Sequence, residues 1–376
     1  MRRMMRRYSP QKSDQMEIST VRVAKGLERV IVDDTAISST DSAGNLVYRG
    51  YLAVDLASKL SFEEVAYLVA YGKLPTKKEL SDFSGKLLKM SSLDRGTERL
   101  LECIDKDYSP IDMLRTVVSG MELFEKDDQS CMLEMAARMP TVITRFHSKY
   151  KGRVHAKAEK GSYAERFYFE MTGKDDKKAA AYLEKLLILY MEHEFNASTF
   201  ALRVTTSTLA GPQAAFTTAL GTLKGPLHGG ANSEVLRYML SFKKKEDAIR
   251  FVDSKLKKKE KIMGFGHRVY KMKDPRAVFV RGQLKSLSKA KGMPQLLEYA
   301  EAIENRMWEL KRIPANVDFY AALYMYLLGI SEEFYLPIFA AARSFGWIAH
   351  YTEQVSNNKL IRPDSGYVGP RGLKLK

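Results

Sequence analysis

Apolar residues recur along most of the chain at the three- and four-residue spacing of amphipathic helices. After Ser61, the residues Phe62, Val65, Ala66, Leu68 and Val69 form one such face, and the face stops at Gly72. Ser61-Phe-Glu-Glu64 has the form of a capping box. In that motif a side-chain oxygen takes the backbone N–H three residues on, and the acid there returns the bond. Thr76-Lys-Lys-Glu79 repeats the form ahead of Leu80, Phe83, Leu87 and Leu88. Ser109-Pro110 opens a third helix, with proline in the first turn where its missing N–H costs nothing. Residues 177–191 and 196–209 read as long buried helices. Strand signals are confined to residues 21–33 and to 45–51, which follow the turn Asp41-Ser-Ala-Gly44. The pattern predicts an all-α protein with a small N-terminal β element, and it holds no internal repeat or low-complexity linker.

Composition narrows the class. The chain has 376 residues, 45% apolar and 28% charged, the balance of a globular protein with a sizeable core. The most apolar run, 319–330, falls well short of the roughly 20 residues of a spanning helix, so no membrane is expected. Cys103 and Cys131 are the only cysteines, too few for a disulfide framework or zinc cluster, and are expected to be a buried, reduced pair. The N-terminal MRRMMRRYSPQKSDQ lacks the apolar core of a secretory signal and reads as a frayed polar tail, which favours the cytoplasm. A formal net charge of +16 favours anionic partners: nucleic acid, an acidic membrane or polyanionic small molecules. The lysine runs at 243–245 and 257–259 read as solvated faces. Between about 224 and 323 the chain is more basic and is flanked by apolar helices. That shift predicts a smaller domain, 224–323, inserted into a larger helical one made of 1–223 and 324–376.

Five stretches carry candidate chemistry. In Gly264-Phe-Gly-His-Arg-Val-Tyr-Lys-Met-Lys-Asp-Pro-Arg276, Asp274 and Pro275 read as N-cap and first residue of a helix whose apolar face is Val280, Leu284 and Leu287. Arg276 then sits in a first turn, where free N–H groups already favour an anion and its own fork can grip a carboxylate. His267 lies on the turn before it and Lys271 between them; taken alone, a surface loop with scattered charge explains the stretch as well. In Gly225-Pro-Leu-His-Gly-Gly-Ala-Asn232, Asn232 reads as an N-cap and the glycines permit close approach of a ligand. A helix N-terminus favours neutral His228, which suits donation to a developing enolate, although a lone histidine in such a turn is more often structural. In Ile313-Pro-Ala-Asn-Val-Asp-Phe-Tyr320, Asn316 caps a helix with Asp318 in its first turn, as helix stabiliser or as base. His193-Glu-Phe-Asn-Ala-Ser-Thr-Phe200 is a polar insertion between apolar helices, and Arg343-Ser-Phe-Gly-Trp-Ile-Ala-His350 with Ile361-Arg-Pro363 completes the set. His193-Glu194 begins like a zinc-protease signature, but Ala197 stands where the second histidine is needed. Gly264-Phe-Gly266 lacks the third glycine and the preceding strand of a dinucleotide site.

In this order the five stretches closely resemble the citrate synthase family, as does Tyr48-Arg-Gly-Tyr51. The resemblance runs from about Ala24 to Pro370 and is nearest to the compact prokaryotic and archaeal enzymes. It implies an all-α homodimer with a large domain, a mobile small domain and an active site in the cleft between them. It also implies condensation of acetyl-CoA with oxaloacetate, followed by thioester hydrolysis, with no cofactor. Asp318 would take a proton from the acetyl methyl group, neutral His228 would stabilise the enol oxygen, and His267 would protonate the oxaloacetate carbonyl. His193, Arg276, Arg343 and Arg362 would supply the cations that hold oxaloacetate, Arg362 reaching the site of the neighbouring subunit. Lys271 would face a CoA phosphate, and Gly264, Phe265 and Gly266 would line the adenine. The chain departs from the family pattern at Ser233 and at Ala210-Gly-Pro-Gln213, where acidic residues are usual, and neither place carries a catalytic role.

Two other readings compete. A 2-methylcitrate synthase, acting on propionyl-CoA, shares every motif above, and one methylene is worth only about 1–3 kcal/mol of discrimination. A basic helical nucleic-acid binder would account for the charge, but for none of the His, Asp and Arg placements.

Overall fold

The computed structural model describes residues 23–41, 44–229, 231–267, 270 and 272–375. Among them are sixteen α-helices, two short 3-10 turns and one three-stranded antiparallel sheet. Residues 35–361 form one compact unit, and the described parts of 1–34 and 362–376 form another.

Local chemistry sets the helix ends. Helix Phe62–Tyr71 starts at a complete capping box: Ser61 Oγ accepts the Glu64 N–H and Glu64 Oε2 accepts the Ser61 N–H. It ends at Gly72, whose φ of 81° is the left-handed conformation that a Cβ disfavours. Thr76 and Glu79 make the same box for helix Lys77–Met90. Pro110–Gly120, Lys177–Tyr190 and Ala197–Ser207 follow where the apolar spacing places them. The expected face of Phe62, Val65, Ala66, Leu68 and Val69 is wholly buried.

Helix Tyr335–Ser356 is the axis of the core. Helices Phe62–Tyr71, Asp128–Tyr150, Lys177–Tyr190, Ala197–Ser207 and Pro212–Leu223 all pack on it. A helix enclosed on all sides is apolar all round, and every residue from Ala340 to Tyr351 is buried, Arg343 and His350 included. A second group packs mutually: Ala231–Ser241, Lys245–Lys257, Pro275–Ala290, Pro294–Lys311 and Val317–Leu327. No helix among the described residues is long and apolar enough to cross a membrane.

The structure corrects four expectations. Residues 23–33, the described part of the expected 21–33 strand, contain a 3-10 turn at Lys25–Leu27. Gly26, Leu27 and Arg29 there have φ of 74°, 56° and 60°, outside the range of any strand. Among the described residues the first strand is instead β1 (Ser38–Thr40), which pairs Ser39 with Val47 of β2 (Leu46–Tyr48). The expected 45–51 strand is two: Arg49 and Gly50, with φ of 47° and 91°, turn the chain back from β2 into β3 (Tyr51–Leu52). Asn232 lies inside helix Ala231–Ser241 rather than capping it. Cys131 is buried but Cys103 is exposed, so the two thiols do not form a buried pair.

Candidate active site

The polar turn between helices Lys177–Tyr190 and Ala197–Ser207 is held from beneath by Glu192. This carboxylate is fully buried. Its Oε1 accepts the Ser38 hydroxyl at 3.0 Å and His350 Nε2 at 2.9 Å. Arg203 Nη1 lies 3.3 Å from His350 Nδ1 and can only donate, so the imidazole proton is on Nε2, facing Glu192. Burial opposes the Glu192 charge, but His350 and Arg343 outweigh it and keep the carboxyl below its ordinary range. A Cβ at Gly346 would run into Glu192 Oε2 and the Met191 carbonyl, so only glycine lets the axial helix pass this close. Ser38 Oγ also accepts the Glu194 N–H, and Tyr48 Oη reaches the Glu192 carbonyl at 3.0 Å. The small sheet therefore anchors the turn that carries His193.

His193 is buried, with Nε2 3.0 Å from the Tyr270 hydroxyl and its ring 5.1 Å from that of His267. Burial first, and then the charges of Arg276, His267 and Arg343, hold its pKa well below the usual value. With its pKa so lowered, it can offer a carboxylate a hydrogen bond. The Tyr270 backbone N–H donates to His267 Nδ1 at 3.3 Å. Arg276 Nη2 stands 3.4 Å from His267 Nε2. Arg276 is buried and forked onto Asp274, with Nε to Oδ1 at 3.0 Å and Nη2 to Oδ2 at 2.9 Å. Burial lowers its pKa, and Asp274 more than restores it.

His228 follows a turn closed by its own N–H on the Gly225 carbonyl. Its Nε2 takes the Ser198 backbone N–H at 3.2 Å and lies 2.9 Å from Ser198 Oγ. Burial, with Arg343 adding, lowers its pKa to about 4. The ring is neutral near pH 7, with Nδ1 carrying the proton.

Asp318 sits in the first turn of helix Val317–Leu327, its N–H capped by Asn316 Oδ1 at 3.1 Å. Its Oδ1 faces the Tyr190 hydroxyl at 3.4 Å. The Tyr190 carbonyl in turn accepts Arg343 Nε at 2.7 Å. Arg343 is buried over the Phe339 ring, and burial lowers its pKa while Glu192, Tyr48 and Asp318 raise it. The loop at 264–266 is zipped to 314–316 by Gly266 N to the Pro314 carbonyl and Asn316 N to the Gly264 carbonyl, both 2.9 Å. Gly264 has φ of 88°, and a Cβ there would lie 2.9 Å from the Phe319 ring, so the approach requires glycine.

His193, Tyr270, His267 and Arg276 form one chain of contacts, Asp318 and Arg343 meet through Tyr190, and His193, His228 and Asp318 each interact electrostatically with Arg343. Gly264, Phe265 and Gly266 lie beside them through the 314–316 bridge. Lys271 is outside the described residues. Arg362 belongs to the other compact unit, exposed and paired with Asp364 at 2.8 Å. The sequence reading gave no role to Glu192, Tyr190 or Tyr270, read Asp274 only as a helix N-cap, and had no signal at all for Ser38. The first four lie in or beside the recognised stretches, where their polar side chains among apolar neighbours were the available clue. Among the described residues no group of three or more His, Cys, Asp or Glu could hold a metal ion.

Residues 26–364 match the family model described as citrate synthase, C-terminal domain. The chain belongs to the citrate synthase family. It is 39% identical over 365 residues to the citrate synthase of Haloferax volcanii, covering 93% of this chain and 96% of that one. It is 38% identical over 359 residues to the 2-methylcitrate synthase of Shewanella oneidensis, again covering 93% and 96%. The crystal structure of the Thermotoga maritima citrate synthase superposes with a TM-score of 0.86 at 38% identity, covering 93% of this chain and 97% of that one. The Thermoplasma acidophilum citrate synthase, solved as a ternary complex with carboxymethyl coenzyme A and oxaloacetate, gives 0.88 at 31% identity, covering 95% and 98%. The all-α architecture with a small sheet is thus that of citrate synthases.

Proposed function

We propose that the protein condenses acetyl-CoA with oxaloacetate and hydrolyses the resulting thioester to citrate and CoA. The observation that carries this reading is the field around buried Arg343, felt by His193, His228 and Asp318 alike. Arg276 and Arg343 hold the two carboxylates of oxaloacetate, with His193 adding a neutral donor. The Asp318 carboxylate takes a proton from the acetyl methyl group while His228 Nδ1–H stabilises the oxygen of the forming enol. A neutral donor suits this step, because it shares its proton with the oxygen without first having to lose a charge. The enol carbon attacks the oxaloacetate carbonyl carbon, and His267 protonates the oxygen as it becomes an alkoxide. Water then cleaves the thioester, releasing CoA. In the condensation each proton has a protein group and the nucleophile comes from the substrate. In the hydrolysis water adds to the thioester carbonyl, one of its protons goes to the departing CoA sulfur and the other to solvent, so the scheme calls for no cofactor.

The subunit and domain assignments belong to the same proposal. Arg362 completes the site of a neighbouring subunit in a homodimer, and Lys271 faces a CoA phosphate beside Gly264, Phe265 and Gly266. Residues 224–323 move as a small domain against 1–223 and 324–376, a division supported by the mutual packing of helices Ala231–Ser241, Lys245–Lys257, Pro275–Ala290 and Pro294–Lys311, while helix Val317–Leu327, which packs with them, runs past the boundary at 323. The enzyme works in the cytoplasm, at the entry to the tricarboxylic acid cycle.

The likeness to a 2-methylcitrate synthase, at 38% identity against 39% for a citrate synthase, supports a second reading, with propionyl-CoA as the acyl donor. Steady-state CoA release with each thioester at saturating oxaloacetate tests both. A higher kcat/KM for acetyl-CoA supports the first, a higher value for propionyl-CoA the second, and no CoA release from either overturns both.

A further inference from the structure

Asp274 is placed to do more than cap its own helix. It is 1% exposed, and its carboxylate collects four donors. Oδ1 accepts the backbone N–H and Nε–H of Arg276, both at 3.0 Å. Oδ2 accepts Arg276 Nη2–H at 2.9 Å and, from a segment 43 residues further on, the backbone N–H of Val317 at 3.0 Å. Val317 opens the helix that carries Asp318. One buried carboxylate thus satisfies the N-termini of two helices, Pro275–Ala290 and Val317–Leu327, and also fixes the guanidinium of Arg276. Arg276 Nη1 makes no bond to Asp274, and Nη2 also stands 3.4 Å from His267 Nε2.

We infer that Asp274 is a positioning residue that sets the dicarboxylate-holding Arg276 and the proton-abstracting Asp318 in register with each other. The inference rests on the function proposed above. Helix capping alone would use one oxygen and one N–H within the same helix. The Val317 bond is not needed for that purpose, and it leaves neither helix start free to move without breaking a charge-assisted bond in a dry site. A shift of the Arg276 fork is therefore transmitted to the backbone one residue before Asp318. Placement errors of about 1 Å at a reacting group can cost on the order of 100-fold in rate.

Two variants separate the roles. Val317→Pro deletes the single N–H that reaches across, and leaves Asp274 and its fork to Arg276 in place. Proline suits the first helical position, and Asn316, with φ of −95° and ψ of 174°, already has the extended backbone that precedes proline. Asp274→Asn disturbs both links, because an amide cannot accept from four donors. The readout is deuterium exchange into the methyl group of acetyl-CoA, measured by NMR with saturating malate, which offers both carboxylates but no ketone to attack. Exchange reports Asp318 directly. We expect Val317→Pro to slow exchange at least tenfold while the half-saturating malate concentration changes less than threefold. Asp274→Asn should change both by tenfold or more. Circular dichroism and thermal melting check that each variant is folded; a Val317→Pro chain that does not fold is replaced by Val317→N-methylvaline, made by semisynthesis. If exchange in the folded variants stays within twofold of wild type at saturating malate, Asp274 serves Arg276 alone and the inference is wrong. If the wild-type enzyme neither condenses acetyl-CoA with oxaloacetate nor exchanges its methyl protons, it is the functional reading that fails.

Discussion

The backbone N–H of Ser198 points at Nε2 of His228 across 3.2 Å. A backbone N–H can only donate and its direction is set by the chain, so this contact decides the tautomer: Nε2 accepts and Nδ1 holds the proton. The Ser198 hydroxyl, 2.9 Å from the same nitrogen and 2.8 Å from Asn196 Oδ1, has one proton and two acceptors in reach. Removing it leaves the backbone donor in place. Ser198→Ala should therefore lower kcat by less than about tenfold. His228→Ala, which removes the donor to the enol oxygen, should cost about 100-fold to 1,000-fold, the range for one such donor. Steady-state rates of CoA release compare the two; equal losses would put the hydroxyl, not the N–H, in charge of the ring.

Asp318 and Arg276 should fail in different ways. Asp318→Asn keeps the size and the Asn316 cap but removes the base, so kcat should fall by about 100-fold to 10,000-fold. Oxaloacetate binding by calorimetry should survive. Arg276→Lys keeps a charge and loses the fork, so the oxaloacetate KM should rise by roughly tenfold or more while kcat changes less. A loss of oxaloacetate affinity in Asp318→Asn as large as its loss of turnover would overturn the assignment of Asp318.

Buried neutral histidines make stability depend on pH with a definite sign. His228 is lowered to about 4, as is His147, where burial comes first and Arg153 and Lys151 add to it against Glu333. His193 is held well below its usual value by burial and its cationic neighbours. Each protonates near 6.5 in the unfolded chain but resists in the folded one. Their contribution is fully present above about 6.5 and is lost as pH falls toward 4, by up to about 1.4 kcal/mol per pH unit for each ring. The melting temperature should fall steadily through that window. His147, which faces Ser331 and packs edge-on against Phe334, lies outside the active-site group. His147→Gln should flatten the slope, and an unchanged slope would mean that His147 titrates normally in the folded protein.

If Arg362 completes the neighbouring subunit's site, Arg362→Ala and Asp318→Asn homodimers should both be inactive yet complement each other. In the mixed dimer one site carries both defects and the other neither. After co-refolding, with the mixed species confirmed by native mass spectrometry, CoA release per mixed dimer should recover to about half that of wild type. No recovery would show that Arg362 acts within its own chain.

The parts legible in the sequence are those whose determinants lie within a few residues of one another. Ser61 with Glu64, Thr76 with Glu79, Asp274 with Pro275, and Asn316 ahead of Asp318 all act across at most one helical turn, and all are found where the spacing puts them. The ordered motifs likewise identified the family, because their residue types and spacing are specific to it. Where the backbone leaves the common regions, local pattern misled: the apolar alternation of 21–33 reads as strand, but left-handed residues at 26, 27 and 29 break it. Only the tertiary structure decided which groups are charged and which way they face. Ser38 and His350 meet Glu192 across 154 and 158 residues, Val317 meets Asp274 across 43, and Ser198 meets His228 across 30. His193 is neutral because packing dries it and sets Arg276 and Arg343 against it. Desolvation and charge act through space, and nothing in the spacing of residues along the chain records which distant groups the fold will bring within a few ångströms.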